Sequence, residues 1–205
     1  MPPSVPLLNK IRQFVWNTQF HREMALTRRH RKYISLLEAD TIGILYDASE
    51  ERNYSVVYNF VRYLIEQQKK VKALGFVNST LIPHYCHPRL SFDYFTLKDL
   101  NWYRKPVSHF VRDFVSNEFD MVINLDVNDT PSLKYITGLS IAHFKVGKFH
   151  EKSKDCFDLM IDMKDPTDID ALLKEINHYL SILQPPNSGT VKVKPAEDPE
   201  DSLLF

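Results

Sequence analysis

From residue 41 onward, short runs rich in β-branched residues alternate with stretches whose apolar side chains return at helical spacing. Parallel strands cannot be joined by tight turns, so such alternation folds most readily as a parallel sheet with crossover helices. Residues 42–46 form the first apolar run, and Asp47-Ala48-Ser49 break it. Residues 52–68 place Val56, Val57, Phe60, Val61, Leu64 and Ile65 on one helical face. Lys69-Lys70 suit the negative end of that helix, and residues 71–77 supply a second strand.

Residues 78–106 are irregular and rich in aromatics, Pro and His, with a short strand expected at 92–95 as part of an excursion over one sheet edge. A helix over 107–117 turns Phe110, Val111 and Phe114 inward and leads into a buried strand at 121–125. Pro131 opens a helix to Leu139, placed where its missing N–H costs nothing. Strands at 142–146 and 159–163 and a final helix over 168–183 complete the pattern, the last burying Ile169, Leu172, Leu173, Ile176, Tyr179, Leu180 and Leu183. Glu118-Phe119-Asp120-Met121 and Cys156-Phe157-Asp158-Leu159 echo each other, each an aromatic and an aspartate at the entry to an apolar strand.

This order predicts a three-layer α/β fold, Rossmann-like or flavodoxin-like, with about five mostly parallel strands and helices on both faces. The 205 residues suffice for one good core. They divide into a basic amphipathic helical arm at 1–40, an α/β domain at 41–184 and an acidic tail at 185–205 with too little apolar content to pack.

Together, Leu100-Asn101-Trp102-Tyr103, the run from Glu118 to Leu125, SIAHFKVGK at 140–148 and Asp158-Leu159-Met160-Ile161-Asp162 resemble a family of uncharacterised proteins from Bacteroidota. The likeness spans roughly residues 10–183. It implies a bacterial cytoplasmic protein and carries over no catalytic or binding residue.

Phosphate-binding glycine motifs are missing: the five glycines lie far apart, and none falls in the turn after the first strand. No G-x-S-x-G elbow occurs. No cofactor is expected. Asp47, Asp126 and Asp162 stand at or near the carboxyl ends of three strands, with Asp129 and Asp165 just beyond. Converging there they would form a catalytic or Mg²⁺-binding edge for a phosphorylated small molecule or nucleotide, and separately they would close Asx turns. His84, Cys86 and His87 pack three potential zinc ligands into four residues without zinc-finger spacing, so a surface loop with one packed cysteine is the plainer expectation. The two cysteines, Cys86 and Cys156, are too few for a disulfide framework and suit a reducing, cytoplasmic setting.

Overall charge is balanced at 26 basic and 26 acidic residues, but its distribution is uneven. From Lys10 to Lys32, seven basic residues face the single acid Glu23. On a helical wheel Leu7, Leu8, Ile11, Phe14 and Val15 share one arc, so this stretch should be an amphipathic helix. Arg22 and the cluster Arg28-Arg29-His30-Arg31-Lys32 form a cationic face fit for phosphates, with Phe14 and Trp16 as anchoring aromatics. The leading expectation is a non-enzymatic accessory protein whose arm engages RNA or a ribonucleoprotein such as the ribosome. A membrane surface is the second expectation for the arm, and a protein partner held by 78–106 or the C-terminal tail the third.

Overall fold

A computed structural model describes residues 5–87, 89–163 and 168–182. The expected tail at 185–205, Leu183 and Asp165 lie outside the described residues. Six strands form one sheet: β1 (Thr41–Asp47), β2 (Lys70–Val77), β3 (Phe92–Thr96), β4 (Met121–Asn124), β5 (Phe144–Lys148) and β6 (Leu159–Ile161). Their order is β3-β2-β1-β4-β5-β6, and every neighbouring pair is parallel. Each of the six corresponds to a strand read from the sequence, one more than the approximate count of five, with β3 and β6 at the two edges.

The helices are α1 (Val5–Leu26), α2 (Glu51–Glu66), α3 (His109–Ser116), α4 (Pro131–Leu139) and α5 (Ile169–Ile182). Alternation along β1 distributes them. Ile42, Ile44 and Tyr46 pack with Val57, Phe60, Val61 and Leu64 of α2 and with Leu172, Ile176 and Leu180 of α5 on one face. Leu45 belongs to the opposite face, with Val111 and Phe114 of α3 and Leu133 and Ile136 of α4. Strands covered on both faces have no solvent side, which is why β1 and β4 read as continuous apolar runs. Ile65 and Tyr179 sit at the margins of their helical arcs and are substantially exposed rather than inward.

The arm is anchored by a side of α1 that lies outside its apolar arc. The arc of Leu7, Leu8, Ile11 and Phe14 faces outward, Phe14 at 71% exposure. The docked side is the opposite one. Fully buried Phe20 joins the α3/α4 cluster with Trp16 and Met24 packed beside it. Phe20 stacks on Trp16 at 4.8 Å between centroids and tilts against Tyr135 of α4 at 6.0 Å. Lys105 donates to Glu23 at 2.6 Å, and the Tyr135 hydroxyl bonds the same carboxylate. α1 therefore forms a fourth layer over α4.

Candidate functional site

After α1 the chain crosses the amino edge of the sheet as an irregular strap, residues 27–40. Arg29 fixes it. The guanidinium grips Asp158 through Nη1 to Oδ2 at 2.8 Å and Nη2 to Oδ1 at 2.7 Å, and Nη1 also reaches the Ala142 and His143 carbonyls, each at 3.2 Å. The Arg29 side chain is only 7% exposed. Backbone and aromatic contacts extend the attachment: Lys32 N–H donates to the His143 carbonyl, Tyr33 lies edge-on to Phe144 at 5.2 Å, and Ile34 enters the core.

Arg29 is thus committed internally and differs from its neighbours. Arg22, Arg28 and Lys32 are exposed, and the Arg31 side chain is 68% exposed, its Nε 4.0 Å from Asp158. Arg28, Arg29 and Arg31 line a cleft of about 400 Å³ between the end of α1 and the end of α4, with His21, Lys145 and one acid, Asp155. Lys145 is fully buried, its ammonium donating to the Thr137 and Gly138 carbonyls at 2.7 and 3.2 Å. Burial, and after it the Arg29 charge, push this lysine down to about 7. Phe14 is open to solvent on the outer side of α1, whereas Trp16 is half-buried against Phe20.

Of the strand-end aspartates, Asp47 and Asp126 stand near each other on adjacent strands and Asp162 stands apart. Asp47 accepts from the Ser49 N–H at 2.9 Å, closing an Asx turn. Asp126 is buried and accepts from the Asn128 N–H at 3.0 Å and from both the N–H and hydroxyl of Thr130, bracing the β4–α4 loop. Burial raises its carboxyl above the ordinary value against the pull of those hydrogen bonds, and the nearby Asp47 charge adds to the rise. Asp162 is exposed just past β6, two strands and about 10 Å from β4. The three carboxylates therefore do not converge. Cys86 is buried, its thiol directed to the Ala48 carbonyl at 3.7 Å, and burial pushes it up to about 11. His84 and His87 do not join it in a metal site: among the described residues no three His, Cys, Asp or Glu side chains are placed to hold an ion. No helix among those residues is long and apolar enough to cross a membrane.

Six parallel strands with β1 and β4 adjacent at the centre, and helices on both faces, define a doubly wound, Rossmann-like α/β protein. The chain belongs to a family of unknown function, DUF6913, which it matches over residues 12–183. No curated protein and no solved structure matches it.

Proposed function

We propose that this chain is a bacterial, cytoplasmic, non-enzymatic accessory protein that engages RNA, in a ribonucleoprotein setting, through its basic strap. One observation carries the reading: the buried Arg29–Asp158 clasp holds the strap on the sheet edge while Arg28, Arg31 and Lys32 project outward from it. Cations on an anchored segment lose little conformational freedom when they meet phosphates, and the adjoining cleft has room for a phosphate group. Arg22, exposed on α1, supplies a further cation upstream of the strap.

RNA binding read by fluorescence anisotropy over a salt series is the test. Each phosphate contact contributes about −0.7 to the logarithmic salt slope for a single strand, so three or four contacts predict a slope near −2 to −3. Converting Arg28, Arg31 and Lys32 to Gln should flatten it. A salt-independent or arm-independent affinity would overturn the reading. The outward stripe of Leu7, Leu8, Ile11 and Phe14 favours a second reading, peripheral contact with an anionic bilayer. Sedimentation with anionic vesicles, in the absence of RNA binding, would move the function there.

A further inference from the structure

At the other end of α1, over the carboxyl edge of the sheet, lies a second cationic site. A groove of about 450 Å³ runs between α1, the loop after β3 and the start of α4. Arg12, Arg104, Lys134 and Lys152 line it together with Trp16 and Tyr103. The one acid in its wall, Asp129, is occupied by the Ser153 hydroxyl at 2.6 Å. Among the described residues, none of the four cations forms an ion pair with a carboxylate. The lining holds three more cations than acids, the Lys134 ammonium also donating to the Lys152 carbonyl, and this excess of positive charge favours entry of an anion.

Two further observations point to a ligand. The Arg12 Nε and the Trp16 Nε1 are both buried without a hydrogen-bond partner, and both belong to side chains of the groove wall. Arg104 and Pro131 also border an adjoining polar crevice of about 280 Å³, lined by Asp47, Asn78 and Ser132. That crevice lies where the strand order reverses between β1 and β4, the position at which open α/β sheets receive ligands.

We propose that this groove binds a nucleotide, its phosphates held by Arg12, Arg104 and Lys134 at the start of α4 and its planar base laid against Trp16 and Tyr103. The site is independent of the strap, which lies at the opposite edge of the sheet. It requires no glycine loop, because side-chain cations replace the backbone cradle.

Titration of the full chain with ATP, GTP, CTP, UTP and pyrophosphate, followed by calorimetry and intrinsic fluorescence, tests the assignment. At least one nucleotide should bind more tightly than pyrophosphate and quench fluorescence. The quench should disappear in Trp16→Phe and persist in Trp102→Phe. Arg12→Gln and Lys134→Gln, each shown by circular dichroism to be folded, should weaken binding by about tenfold, and Arg62→Gln on α2 should leave it unchanged. Absence of nucleotide binding by the folded chain, equal affinity for pyrophosphate, or binding untouched by Arg12→Gln and Lys134→Gln would overturn it.

Discussion

The aspartates that open β4 and β6 are staples, and the echo between their two segments reflects equivalent jobs. Asp120 accepts from the Asp40 N–H and from the N–H and hydroxyl of Thr41, each at 2.9 Å, tying the entry of β4 to that of β1. Burial works to raise its carboxyl, but these donors and the His143 charge hold it below the ordinary value. Asp158 takes the Lys145 N–H at 2.9 Å and receives Arg29. The preceding aromatics match as well. A Cβ on Gly43 would lie 3.0 Å from the Phe119 ring, and one on Gly147 would lie 2.4 Å from that of Phe157. Cutting the clasp by Arg29→Gln strands a buried carboxylate and should cost about 3 kcal/mol in chemical denaturation. Arg29→Lys should recover only part of it, because an ammonium cannot grip two oxygens in the same plane.

Lys145 belongs to the same scale and has a definite pH signature. Its folded pKa, near 7, lies below the 10.5 of an exposed lysine. Above the folded value the unfolded chain holds the extra proton, so this group's contribution to stability rises with pH from about 7 upward. Cys86 and Cys156, pushed up to about 11, act in the opposite sense once pH approaches their ordinary value of 9.0. The clean comparison is therefore the difference between the native chain and Lys145→Met from about pH 6.5 to 8.5. The native chain should gain denaturant resistance over that window relative to the variant. Parallel curves would show that the buried amine is not titrating.

At the scale of elements, α1 separates what could be read from sequence from what could not. Its apolar arc at Leu7, Leu8, Ile11 and Phe14 was legible, but that arc faces solvent, and docking uses Trp16, Phe20 and Met24 on the opposite side. A wheel detects the widest apolar stripe and cannot see that one phenylalanine will find a glycine. Gly138 provides that fit, since a Cβ there would lie 2.6 Å from the Phe20 ring. Alanine normally stabilises an exposed helix position by about 1 kcal/mol over glycine. Here Gly138→Ala should instead destabilise by about 1–2 kcal/mol and expose the α1 linkage to limited proteolysis. A stabilised variant would refute close docking of the arm.

Helices α2 and α4 and the central strands were legible because burial on one helical arc, or on both strand faces, writes a strong period. The irregular pieces were harder. The strap at 27–40 carries no period, so nothing in Arg28-Arg29-His30-Arg31-Lys32 marks Arg29 as the buried member. The distinction depends on Asp158, more than a hundred residues downstream. Likewise the groove draws Arg12, Arg104, Lys134 and Lys152 from four separate segments.

Across the whole molecule, α1 connects two cationic sites at opposite ends of a six-stranded parallel sheet. Its first half walls the groove above the carboxyl edge with Arg12 and Trp16, and its end leads into the strap below the amino edge. Neutral overall composition conceals this arrangement, because charge is sorted by position and not by excess. Leu81, Ile82, Leu90 and Trp102 of the 78–106 excursion are exposed as well. Two independent cationic sites predict that substitutions at one leave affinity at the other unchanged within about 0.5 kcal/mol.

The most direct test of the central claim is RNA retention by the full chain compared with the triple variant Arg28→Gln, Arg31→Gln, Lys32→Gln, with and without nuclease. Nuclease-sensitive RNA is expected on the native chain and should be lost from a variant that keeps the native unfolding midpoint, since the two-pronged Arg29–Asp158 pair remains. Equal retention by both proteins, or none by either, would contradict it.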